Sequence, residues 1–388
     1  MLKTIIRISF ALSVLAVATQ SNAQQSSQRP FRIVNGSESQ NGIRPNAVVN
    51  LPVLGFTLDQ SGALRPLIGI AGAASVGAPL ELGFQVVSAA VPPNHDYILA
   101  TSTPGNWPML LQVRDNTITV RSSESLNAAA SRSSSQSASQ STACRPVSIR
   151  THRQYDCIDD PDTSETASQS ITIDRIALSP TGSVAGFLSA SAGRIFAYGN
   201  LSQSPALMGT FDIGGMSAVT AFGVSDDATT AIFAVSNGDM GSVFIVSPTQ
   251  APRLIASIHH SSAIQFMRNS GNAVIADDVE SRIYTFSNGQ VFAIAGPEDG
   301  IASPNGIVIS NDNQKVFVGN SAAGSITTIG LNGTGTQTTA CNCSLSSMQP
   351  MSADSVFQLT DFSGSSLLLF DANSAAPRMV VVPAGAQF

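Results

Sequence analysis

The chain repeats itself, and the repeat length limits what it can fold into. One phrase recurs: apolar strand, turn, apolar strand, gap, apolar strand, turn, apolar strand. It begins at Val86, Ile173, Ala218, Ala263, Asn305 and Met348. The residues opening its first turn are Pro92, Ser179, Ser225, Arg268, Ser310 and Met351, at successive steps of 87, 46, 43, 42 and 41. A period of roughly 40–50 residues with four short strands per unit is the sequence mark of a β-propeller. A lone four-stranded sheet buries neither face, so each unit must stack on its neighbours, and a closed ring leaves no unprotected end. A degenerate copy, LPVLGFTLDQSGALRPLIGI from Leu51, matches the third and fourth strands of a unit. The length of the chain, 388 residues, favours counting it. The expectation is an all-β propeller of about seven four-stranded blades over 43–388, with six blades and an extra hairpin as the alternative.

The step of 87 is one period plus a long insertion, placed at 122–171. Ten of the 21 residues from Ser122 to Thr142 are serine, a composition that cannot bury a core, so a disordered loop is expected. An acidic stretch follows, with Asp156, Asp159, Asp160, Asp162 and Glu165. It lacks the residue order of a known Ca2+ loop and reads as a solvated segment.

Residues 1–23 read as a secretory signal. Lys3 and Arg7 precede the apolar run Ile8 to Ala18, and Ser21-Asn22-Ala23 is a small-x-small cleavage site. Residues 24–42, rich in Gln, Ser and Asn, read as a disordered lead-in. The expected location is secreted, periplasmic or cell-surface, with no transmembrane segment in the mature chain. In such a compartment the four cysteines are read first as disulfides. Cys144–Cys157 would close a short loop, whereas Cys341 and Cys343 can bridge only over a bent backbone, with free thiols as the alternative. Only 11% of residues are charged and the net charge is −6. This excludes a nucleic-acid partner, which needs a basic face.

PNGIVISNDNQKVFVGNS, Pro304 to Ser321, resembles the repeat of six-bladed gluconolactonase-type and NHL-type propellers of the TolB-like kind, and IADDVESRIYTF, Ile275 to Phe286, resembles its second half. SPTGSVAGF, Ser179 to Phe187, is similar to YVTN-type secreted repeats. The resemblance spans the repeats and implies propeller architecture, which hosts many functions. In the gluconolactonase-like family an Asp and an Asn of these motifs help to bind a divalent metal. The matching positions are Asn320 and Asn305, so the Asp is replaced by an amide; Asp277 would be a third ligand.

The chain has no nucleophile elbow, phosphate loop, H-E-x-x-H or C-x-x-C. His259 and His260 sit in an extended stretch, where successive rings face opposite ways and cannot share one ion. Aligning the copies puts a small oxygen-bearing side chain at the end of each second strand: Thr101, Ser189, Asn237, Asp277, Asn320 and Asp361. Ring closure would bring these to one face as a binding surface. The alternative is that they satisfy backbone groups at strand ends. The sequence thus reads as a non-enzymatic binding or scaffolding propeller for an extracytoplasmic protein or glycan. A metal-dependent lactonase-like hydrolase and a purely structural surface protein are the alternatives. No catalytic residue or cofactor is assigned, and a divalent cation such as Ca2+ is the one cofactor with candidate ligands.

Overall fold

The computed structural model describes residues 32–35, 52–121 apart from 104, 115 and 116, then 126, 127 and 130, and 171–384 apart from 333, 334, 346, 363, 365, 374 and 375. Cys144, Cys157, the acidic stretch and residues 1–23 lie outside them. Seven sheets follow one another along the chain. Blade 1 has Val53–Leu58, Leu64–Ile70 and Ala73–Val76; blade 2 has Ser88–Ala90, Tyr97–Thr101, Met109–Arg114 and Thr117–Arg121. Blade 3 runs from Arg175–Leu178 to Ala206–Asp212, blade 4 from Val219–Val224 to Gln250–Ile258, and blade 5 from Ser261–Phe266 to Gln290–Ala295. Blade 6 runs from Pro304–Ile309 to Thr336–Ala340, and blade 7 from Gln349–Pro350 to Arg378–Pro383. In blades 3–7 the four strands pair in sequence order, each antiparallel to the next.

Seven apolar clusters prove the ring, each built from two adjacent blades. Leu188, Phe211, Phe222 and Phe233 join blades 3 and 4, for example, and Ile275, Phe266, Ile232 and Val243 join blades 5 and 4. The seventh joins the last blade to the first: Val356, Leu367, Leu369 and Val382 of blade 7 meet Leu54, Leu67 and Val76 of blade 1. Seven interfaces for seven blades make a closed circle, so the count of seven holds over six.

Blade 1 departs from the expected assignment. Asp59 forms a parallel bridge with Phe362, just past the second strand of blade 7, and Val76 does so with Ala384, just past its outer strand. Its three strands therefore stand as second, third and outer strands, and the Leu51 copy supplies the second and third. Blade 2 instead gains a strand, because Arg32–Asn35 pairs in parallel with Thr117–Arg121. Three residues of the Ser-rich segment, 126, 127 and 130, are among those described. Leu126 and Ala130 are fully buried between blades 2 and 3, and the Tyr198 hydroxyl donates to the Leu126 carbonyl at 2.6 Å. Cys341 and Cys343 form a disulfide, and Asn342 between them has φ 51°. That left-handed residue is the bend that the short bridge demands.

The turns between first and second strands gather on one face, here the turn face, and are laced from blade to blade. The Tyr97 hydroxyl donates to Gly182 O at 2.9 Å. Thr181 N and Asn269 N donate to the two carboxylate oxygens of Asp226, each at 2.8 Å. Asn313 accepts from Arg268 N and donates to Arg268 O, both at 2.9 Å. Asn311 donates to Asp354, and Ser352 N donates to Leu54 O at 2.9 Å. Six of the seven interfaces are stitched in this way. The serine that opens three of the turns also acts within its own blade, since the Ser179, Ser225 and Ser310 hydroxyls accept from the backbone N–H five residues on. Gly182 closes the blade 3 turn at φ 72°, where an added Cβ would stand 2.4 Å from the Pro92 ring.

Blades 1, 2 and 7 converge on His95, which is 7% exposed. Gly55 makes room there, since a Cβ would meet the Met351 sulfur at 2.6 Å and the His95 ring at 3.4 Å. Burial lowers the imidazole pKa to about 4, against the opposing pull of the Pro350 carbonyl. Above pH 6.5 the ring is neutral in both folded and unfolded chains. Below that the unfolded chain takes up a proton that the folded ring resists, so stability falls as pH drops towards 4. Urea unfolding should lose about 2 kcal/mol between about pH 7 and about pH 5. His95→Asn, which tolerates the φ of 55°, should flatten that slope, and an unchanged slope would contradict the assignment.

Candidate functional site

The opposite face carries the ends of the second strands and the loops that lead into each first strand. Backbone register decides which residues are equivalent there. Thr101 pairs with Ser88, Asp277 with Ser261, and Asn320 with Pro304, each opposite the first residue of the innermost strand. Ser189 lies one residue beyond the last pair in blade 3, Leu188 with Arg175. Blade 4 pairs Val219 with Val235, so Asn237 stands two residues further on, at a tight turn, exposed. In blade 7 the partner of Gln349 is Gln358, and Asp361 lies three residues further on, exposed. The chain thus brings Thr101, Asp277 and Asn320 to a common level, sets Ser189 one residue off it, and leaves Asn237 and Asp361 exposed on the rim.

Three of the buried members, Ser189, Asp277 and Asn320, are engaged with backbone. Asp277, fully buried, accepts from His259 N at 2.9 Å and from Val279 N and Glu280 N at 3.0 Å. Asn320, also fully buried, accepts from Ala302 N at 3.0 Å and donates to the Ser325 and Thr327 hydroxyls. In both blades the side chain ties down the loop two residues ahead of the innermost strand. The Ser189 hydroxyl accepts from Ala192 N at 3.2 Å. Asn305 donates to the Leu345 carbonyl at 2.7 Å, away from the hydrogen bonds of Asn320.

The side chains that converge around Asp277 are not those inferred from the family resemblance. His259, Asp277 and Glu280 place one ligand atom each within 4.8 Å of the others, a set with the nitrogen and oxygen donors that suit Zn2+. His259 Nδ1 lies 2.9 Å from Glu280 Oε1, and the Tyr284 hydroxyl donates to Glu280 Oε2 at 2.9 Å. Burial and then that hydrogen bond raise the Tyr284 pKa to about 12. His260, also in the connection between Gln250–Ile258 and Ser261–Phe266, pairs instead with Asp278 at 2.6 Å.

A second feature lies where blade 7 meets blades 1 and 2. A groove of about 320 Å³ has aliphatic walls from Leu58, Leu64 and Val91, and a polar side formed by Gln349, Gln358 and Asp361. Gln358, 3% exposed, donates to the Thr57 hydroxyl at 2.9 Å and to Thr360 O at 3.0 Å. Its Oε1 and the Nε2 of Gln349 are enclosed and have no hydrogen-bond partner. Asp59 closes one end. Partial burial acts to raise its pKa, but hydrogen bonds from Ser61, Arg65 and Ala63 outweigh it and hold the pKa at about 2.

No protein-family model matches the chain, and no curated protein matches it. Among solved structures it is similar to a chain of a nidogen/laminin complex, at 13% identity over 75% of this chain and 94% of that one, TM-score 0.41. It is similar to hydrazine synthase of Kuenenia stuttgartiensis, at 14% identity over 54% and 65%, TM-score 0.39. It is also similar to the WD40 repeats of RRP9, at 12% identity over 77% and 81%, TM-score 0.47. Likenesses this distant carry no argument about function. Among the described residues no helix is long and apolar enough to cross a membrane.

The hydrogen bonds of Asp277 set a clear expectation. Asp277→Ala leaves three backbone N–H groups without their acceptor and should lower unfolding free energy by about 3 kcal/mol. Chemical denaturation measures it. Unchanged stability would show that the carboxylate is free to serve a ligand.

Proposed function

We propose that this chain is a non-enzymatic binding module that works outside the cytoplasm, secreted, periplasmic or at the cell surface, and holds a protein or glycan partner. One observation carries the reading: the groove between blades 7, 1 and 2 is lined by Gln349 and Gln358, whose enclosed Nε2 and Oε1 have no partner, beside aliphatic walls. Buried polar atoms are ordinarily paired, so an unpaired donor and acceptor lining one groove indicate that a ligand completes them. The signal-like residues 1–23 support the location, and the similarity of Ser179 to Phe187 to secreted YVTN-type repeats points the same way. The gluconolactonase-like resemblance and the His259–Asp277–Glu280 set support a second reading, a metal-dependent hydrolase. A thermal-shift scan with Zn2+, Ca2+ and chelator separates the two, because a tightly bound ion stabilises the fold by mass action.

Photo-crosslinking tests the first reading. A benzophenone side chain placed at Val87, on the groove rim and 52% exposed, should give discrete adducts with extracytoplasmic material. One at Met208, on the outer strand of blade 3 and 53% exposed, should not. Equal labelling from both positions, or none from Val87, would contradict it.

A further inference from the structure

The groove's own chemistry names a class of partner, and this inference rests on the binding reading above. Gln349 and Gln358 are directly paired on adjacent antiparallel strands, so their side chains share one face of blade 7. The bond from Gln358 to Thr57 shows that this face is turned towards blade 1. In blades 5 and 6 the same register holds Asp277 and Asn320, whose shorter side chains are engaged by their own blade's loop. Gln358 reaches across to the neighbouring blade instead. Its donation to the Thr360 carbonyl fixes the amide orientation, so the free atom is the carbonyl oxygen. Beside it stands the free N–H of Gln349. One donor and one acceptor on one face match the C=O and N–H of a single residue in an extended strand, which point to the same side: the C=O accepts from Gln349 and the N–H donates to Gln358.

The rest of the lining agrees. The walls beside the amides are Leu58, Leu64, Val87 and Val91, with Phe56 1% exposed and offering no open ring face. They suit an aliphatic side chain better than a sugar ring. The Asp361 carboxylate stands exposed at the rim of a chain with net charge −6, which favours a basic residue beside the apolar one. We infer that the groove takes an extended peptide segment of a partner protein. The C=O and N–H of one extended residue pair with Gln349 and Gln358, an aliphatic side chain enters between Leu64 and Val91, and a Lys or Arg lies against Asp361.

The test titrates acetyl-Leu-Lys-amide into the isotopically labelled full chain and follows amide shifts, with N-acetylglucosamine as the competing probe. Saturable shifts of Gln349, Gln358 and Val87 are expected at millimolar peptide. Gln349→Leu should weaken binding about fivefold, the loss of one hydrogen bond, and Asp361→Ala should weaken it further at low salt. Gln349 Nε2 makes no bond within the fold, so that variant should unfold as the parent does. Saturation by N-acetylglucosamine with no response to the peptide would overturn the peptide assignment while leaving a binding module in place. No saturable shift with either probe, the result if the chain itself fills the groove, also overturns it. So does peptide binding indifferent to Gln349→Leu. The Val87 crosslinks report separately on whether any partner docks.

Discussion

Everything in this structure depends on closing the ring between its last blade and its first. Each blade presents an apolar face that only a neighbour can cover, so an open array would leave two faces in water. Here the first and last blades share no strand. The contact is made by side chains of blade 7 against Leu54, Leu67 and Val76, by Ser352 on the Leu54 carbonyl, and by Gln358 on Thr57. The side-chain hydrogen bonds at this seam span 298 to 301 positions in sequence. Loop-closure entropy grows slowly with length, so the seam is tolerated, but contacts of such span form late.

The seam gathers several enclosed polar groups, although Trp107, Thr220, Gln265 and Asn305 also carry unpaired atoms elsewhere in the ring. His95 is buried against Gly55 and Met351 there, and Gln349 and Gln358 leave amide atoms unpaired beside it. Blade 1, with its three described strands, does not repeat the geometry of its neighbours. Where the repeat is regular, as at Asp277 and Asn320, the equivalent side chains tie their own loops. At the closure, an unpaired donor and an unpaired acceptor belong to residues that line one groove.

The period was legible because it reflects a physical unit: steps of 41 to 46 located the first turns of blades 3 to 7 correctly. The turn residues were legible as turns. Their second role was not, since nothing in one copy tells that Asp226 will accept from Thr181 and Asn269 of the blades on either side. The site was legible in part. Thr101, Asp277 and Asn320 sit at matched registers, while Asn237 and Asp361 were displaced by turns of different length. Gln358 was missed because VFQLTDF reads as one strand running up to Asp361, whereas the paired strand is Val356–Gln358. His259 entered the Asp277 cluster through a connection 18 residues upstream, which strand alternation alone does not reveal. Blade 1 was misassigned by one strand because its short copy offers no first turn to align.

The most direct test of ring closure uses the single tryptophan. Trp107 packs against Phe187, Phe196 and Tyr198 between blades 2 and 3, away from the seam. Leu369→Ala opens a cavity in the seam core, where the residue is fully buried, and should lower stability by about 2–5 kcal/mol. In urea, Trp107 fluorescence and far-ultraviolet circular dichroism should then shift together to the same lower midpoint, because a closed ring unfolds as a unit. A fluorescence transition that stays in place while the circular dichroism transition moves would show that blades 2 and 3 do not depend on the seam, and would contradict the account.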